Sequence, residues 1–108
     1  MAQNIVKEQA FTANSQNSDI DVSDVGLLTV SIKGTFVATV SFFVSDDGGT
    51  TWFPLLMTPA NSATGATTAT ALGIFRADVT PYNRFRVGTT AFTSGTVNSR
   101  IVGRPLQD

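Results

Sequence analysis

The sequence predicts an all-β chain, a single antiparallel β-sandwich or jelly-roll-like domain of seven or eight strands. Three observations predict it. Apolar and polar residues alternate with period 2 through most of the chain after residue 25. The alternating positions are filled by Val, Ile, Leu, Phe and Thr, which suit a pleated, half-buried surface better than a helix. Gly, Pro, Asn and Asp break the runs at spacings of about ten residues, as in all-β sandwiches, and no stretch reads as a convincing helix.

Size and composition agree with one packed core. A domain of 108 residues buries roughly two thirds of the surface its unfolded chain exposes. With 42% hydrophobic residues, eight Phe and 14% charged residues, the chain has too much apolar bulk and too little charge for disorder. It contains no Cys, so packing and hydrogen bonds must stabilise it without disulfides or thiolate-bound metal. No apolar run approaches the roughly 20 residues that span a bilayer, and the first nine residues lack the apolar stretch of a secretory signal. A soluble product made in the cytoplasm, without a membrane partner, is the expectation.

The strands follow in order. Residues 1–7 show no evident partner and are expected to form a flexible arm ahead of a domain over 8–108. Residues 8–13 and 19–22 read as short strands. In 26–33, Leu28, Val30 and Ile32 alternate with Thr29, Ser31 and Lys33. In 36–44, Ala38, Val40, Phe42 and Val44 share one face, which leaves Phe43 on the polar side as a packing contact or a ligand platform. A strand resumes over 51–58, but Pro54 lacks an amide donor and marks an edge or a bulge. Residues 58–71 are uncharged and small, which predicts a long loop or a weakly paired edge. In 73–80 the inward set is Phe75, Ala77 and Val79, with Pro81 ending the run; in 83–92 it is Phe85, Val87 and Ala91. The short link Thr93, Ser94, Gly95 predicts a hairpin between that strand and 96–102.

Charge is unevenly placed along the chain. Residues 1–54 hold two cations and six anions, net −4, and the remainder five cations and two anions, net +3. Strand pairing mixes the halves in space, so ordinary solvated charge is the expectation and complementary packing surfaces the alternative.

The stretch SDDGGTTW fits the Asp-box pattern S-x-D-x-G-x-T-W at Ser45, Asp47, Gly49, Thr51 and Trp52. Each residue has a turn-making role: Asp47 folds its carboxylate onto turn amides, Gly49 supplies a positive φ, Thr51 restarts the strand and Trp52 buries its ring. The motif resembles the Asp boxes of sialidase-like propellers, where it lies away from the active site. One copy in a chain too short for several blades of roughly 40 to 50 residues implies a hairpin and no activity.

A wider resemblance runs from Gly34 to about Val102, through GTFVATVSFFVSDDGGTTWFPL, GIFRADVTPYNRFRV and TAFTSGTV. It looks like the short β-sandwich proteins encoded among tailed-bacteriophage virion genes, whose last element matches Tyr82, Arg84, Phe85 and Arg86. The resemblance implies a virion structural protein, in first place a capsid decoration or cement protein on the outer capsid surface, made in the host cytoplasm. It implies the major capsid protein as partner and a homo-oligomer, such as a trimer, as the working form. The alternative is a carbohydrate or cell-surface recognition module of a tail or fibre; a polymerising head-tail or tail-tube component comes third.

Catalytic chemistry finds little support. Without His or Cys the common triads, His-ligand metal sites and the usual neutral-pH base are missing. The carboxylates cluster at Asp19, Asp21 and Asp24 or lie adjacent at Asp46 and Asp47, with Glu8 the one glutamate, which does not suggest an opposed glycosidase pair. The first cluster lacks the Gly and Glu positions of an EF-hand, so solvated acids are expected in place of a calcium site. No glycine pattern cradles a phosphate. Arg84 and Arg86 project from one face, but a pI near 5.1 favours protein contact over nucleic acid. No enzyme activity, cofactor or metal is expected. Phe43, Tyr82, Arg84, Arg86 and Phe92 form the candidate interaction surface.

Overall fold

The computed structural model describes residues 5–60, 64–80 and 82–105. Its strands are β1 (Ile5–Phe11), β2 (Asn17–Asp21), β3 (Val25–Lys33), β4 (Phe36–Ser45), β5 (Phe53–Pro54), β6 (Thr58–Pro59), β7 (Thr68–Ala69), β8 (Gly73–Asp78), β9 (Arg84–Gly95) and β10 (Val97–Pro105). They form two antiparallel sheets, one in the order β1-β10-β3-β8-β6 and the other β2-β9-β4-β5, with β7 also paired to β4. With the short β6 and β7 set aside and the equally short β5 kept, the eight remaining strands run first-eighth-third-sixth in one sheet and second-seventh-fourth-fifth in the other. That is the jelly-roll order, two sheets woven from one doubled ribbon.

The core lies between the sheets and follows the alternation. The first sheet contributes Leu28, Val30, Ile32, Phe75, Val97 and Ile101, the second Ile20, Val40, Phe42, Val44, Phe85 and Val87, all buried. Phe42 and Phe75 meet across the interface with ring centroids 5.1 Å apart and planes tilted by 48°, a favourable arrangement for ring quadrupoles. Leu55 and Met57 are buried where the chain passes from β5 in one sheet to β6 in the other. Pro54 and Pro59 sit in the edge strands β5 and β6, where a missing amide donor costs least. Among its described residues the small-residue stretch forms the two-residue strands β6 and β7 and, through Ala66, a bridge to Met57, as expected of a weakly paired edge.

Three expectations need correction. Residues 5–7 are no free arm: Ile5, Val6 and Lys7 pair with Gly103, Val102 and Ile101, which extends β1 along the C-terminal strand. The remainder of that arm, 1–4, lies outside the described residues, as do Pro81 and residues 61–63 of the small-residue stretch. Second, the link at 93–95 is no hairpin. β9 belongs to one sheet and β10 to the other, so the chain crosses the sandwich at Thr96. The β3–β4 crossing runs beside it, with the Thr96 amide bonded to the Thr35 carbonyl at 3.0 Å. Gly34 and Gly95 hold φ of 108° and 93° at these two corners, and a Cβ on either would overlap a carbonyl of the other crossing, Thr96 or Thr35 respectively.

The third correction concerns which side chains of β9 face inward. β9 carries two irregularities against β4, where Val37 and Ala38 face Ser94 and Phe92, and Thr39 and Val40 face Ala91 and Thr89. Thr93 and Thr90 are the extra residues, and each bulge reverses the alternation that follows. Phe92 therefore pairs with Ala38 on the core side and packs against the buried cluster, while Ala91 is exposed.

Candidate functional site

The second sheet and the loop after β4 bring most of the candidate residues together. β4 and β5 are antiparallel, with Val44 opposite Phe53 and Phe43 opposite Pro54, and the chain between them closes around two side chains. The buried Ser45 hydroxyl donates to Asp47 Oδ1 at 2.6 Å and accepts from the Gly49 amide at 3.0 Å. Asp47 Oδ1 also accepts from the Thr50 and Thr51 amides at 3.1 and 2.9 Å. Gly48 and Gly49 take φ of 80° and 101°, which turns these amides inward at no steric cost. The Ser45 hydroxyl and then the Thr51 amide favour the ionised carboxyl of Asp47 and lower its pKa from 3.8 to about 2.

Asn83 fastens the loop to the sheet. Its side-chain oxygen accepts from the Gly48 amide at 3.1 Å, and its own amide donates to the Ser45 carbonyl at 3.0 Å. Sequence reading missed Asn83, because nothing in a lone Asn before Arg84 marks it as a partner for a turn more than thirty positions away.

Beside the loop, register builds one row across the outer face: Asp19 of β2 stands opposite Arg86 of β9, which stands opposite Phe43 of β4. Arg86 donates from Nε and Nη2 to the two oxygens of Asp19 at 2.8 and 3.0 Å, a bidentate pair. Its guanidinium carbon lies 4.1 Å from the centroid of the Trp52 ring, within cation–π range. Trp52 is thus half-buried on the outer face against Arg86, so its ring is partly covered and not fully buried in the hairpin as expected. The neighbouring row sets Asp21 opposite Arg84 and Arg84 opposite Ser45. The charges of the two chain halves meet here, which follows from the pairing of β2 with β9.

Of the five residues expected to form an interaction surface, Phe43, Arg84 and Arg86 share this face, all half-buried. Phe92 and Tyr82 do not join them as free aromatic surface: both pack against the core cluster. Of the acids first weighed as calcium ligands, Asp19 pairs with Arg86 and Asp21 accepts from the Ser23 amide at 2.8 Å. Among the described residues no three His, Cys, Asp or Glu side chains come together as a metal-binding group.

No protein-family model matches the chain, and no curated protein sequence is significantly similar to it. Solved structures do match. The SPBc2 prophage-derived protein YomS superposes with a TM-score of 0.70 at 18% identity, over 96% of this chain and 99% of that one. The PBSX exported protein XepA superposes with a TM-score of 0.77 at 16% identity, over 95% of this chain but 39% of XepA, so the chain corresponds to part of that protein. At these identities the likeness establishes a shared fold.

Proposed function

We propose that this chain is a structural protein of a tailed-phage virion, and specifically a decoration protein that binds the outer surface of the capsid and holds neighbouring subunits together. The observation that carries the proposal is the whole-chain match to YomS, a prophage-derived protein of the same extent and fold. The residues support a non-catalytic role: the polar groups at the loop are turned onto their own backbone and hold a turn. The mechanism is multivalent surface binding, in which a homo-oligomer such as a trimer engages several copies of the major capsid protein at once. Preferential binding to the mature shell stabilises it by mass action.

The alternative role, a glycan or cell-surface reader on a tail or fibre, draws less support from the geometry. Such a reader stacks sugars on several exposed aromatic faces; Phe53 is exposed and Phe43 half-buried on the outer face, but Phe92 and Tyr82 pack inward and Trp52 receives the Arg86 guanidinium on its ring.

Capsids assembled without the protein provide the test. Saturable binding, with raised resistance of the shell to heat or osmotic shock, is the expected result. Absence of binding to such capsids, together with retention on host cells or glycan columns, favours the alternative.

A further inference from the structure

The two outer faces of the sandwich carry opposite charge. On the sheet containing β1, β10, β3 and β8, Lys33, Arg76, Arg100 and Arg104 face outward with Glu8 and Asp78, a surplus of two positive charges. On the other sheet Asp19, Asp21 and the loop acids Asp46 and Asp47 outnumber Arg84 and Arg86 by two. On the first face Arg100 lies 3.8 Å from Glu8, but Arg76 and Arg104 form no ion pair among the described residues. Asp78, two residues from Arg76, accepts instead from the amide and hydroxyl of Thr80.

Arg76 and Arg104 line one cleft of about 250 Å³, with Leu27, Leu28, Thr29 and Val102. Strand register places them there. β3 runs between β8 and β10, with Thr29 opposite both Arg76 and Val102, and Leu27 opposite Arg104. The two arginines therefore rise from the strands flanking β3, two residues apart in register and roughly 12 Å from each other at the backbone. Between them Leu27 is 58% exposed, unusual for a leucine in a nine-residue strand otherwise buried at its apolar positions.

We propose that this cleft docks a segment of a partner protein in which a leucine-sized side chain lies beside acidic residues. The apolar side chain seats on Leu27 and Val102, and Arg76 and Arg104 take the flanking carboxylates. Charge complementarity selects the occupant: planar guanidinium forks match carboxylates bidentately, and the apolar floor requires a side chain to cover it. A pI near 5.1 and that floor favour a peptide over a nucleic acid. The proposal concerns the face opposite the Asp47 loop and holds whichever protein supplies the segment.

A capped Asp-Leu-Glu-Leu peptide, titrated into the full-length protein and followed by NMR at low salt, tests it. The expected result is saturable shifts at the amides of 27–29, 76 and 102–104, about tenfold weaker binding of the Asn-Leu-Gln-Leu counterpart, and a similar loss in Arg76→Gln/Arg104→Gln. An unchanged spectrum for the rest of that double variant establishes that the fold is intact. Equal binding of both peptides, indifference to the double variant, or no shift at millimolar peptide overturns the proposal. So does a DNA duplex that shifts the same amides more strongly than the acidic peptide.

Discussion

The Arg86 guanidinium rests over the Trp52 ring, 4.1 Å from its centroid, while Nε and Nη2 on its edge hold the two oxygens of Asp19. One side chain thus ties the loop after β4 to the edge strand β2. Arg86→Ala removes both contacts and is expected to cost about 1–2 kcal/mol in denaturant unfolding, since a partly exposed bidentate pair and a cation–π contact each contribute about 0.5–1 kcal/mol. Trp52 fluorescence shifts to longer wavelength in the same variant. An unchanged emission maximum would deny the contact.

Asp47 makes the loop acid-sensitive. Its pKa is depressed from 3.8 to about 2, so its contribution is fully present above pH 3.8 and is lost as pH falls through about 2. Amide exchange at Thr50 and Thr51 is expected to quicken over that window, relative to the intrinsic rate, before the sheets unfold. Asp47→Asn abolishes the transition, and exchange that tracks global unfolding at every pH counts against it.

The paired corners respond to substitution more sharply than the loop. Gly95→Ala adds a Cβ against the Thr35 carbonyl at positive φ, and a loss of at least about 2 kcal/mol is expected. Gly48→Ala has the same backbone sign but open space around it, so only the conformational cost of about 1 kcal/mol applies. Chemical denaturation of both variants checks the ranking, and equal losses would contradict it.

Ser18 predicts the opposite sign. Its hydroxyl is buried opposite Val87 on the core side and finds no hydrogen-bond partner within the described residues. Ser18→Ala is expected to stabilise the fold by about 1 kcal/mol by removing a desolvated polar group. Destabilisation by a similar amount would mean that the hydroxyl is satisfied.

Wherever one face of a strand is buried without interruption, the sequence alone was enough. Leu28, Val30 and Ile32, or Val40, Phe42 and Val44, can lie in only one register without turning the apolar set to solvent. Reading failed where backbone geometry changes without changing composition. Thr90 and Thr93 are ordinary strand residues, and nothing in them announces the bulges that turn Phe92 inward. A glycine three residues past an aromatic reads as a hairpin turn whether the chain folds back within a sheet or crosses to the next, and only the non-local pairing of β10 with β1 and β3 distinguishes the two. The loop residues Ser45, Asp47 and Gly49 were legible because their hydrogen bonds are local; the Trp52–Arg86–Asp19 contact was not, because it joins the loop to two strands distant in sequence.

Antibody labelling of intact virions, purified from a phage that encodes this chain and imaged by electron microscopy, tests the decoration role most directly. Many labels per particle are expected, distributed over the capsid surface and lost when the gene is deleted, with the deleted particles leaking DNA on warming. Unlabelled capsids, with label confined to the tail or the protein found only free of the particle, would contradict it.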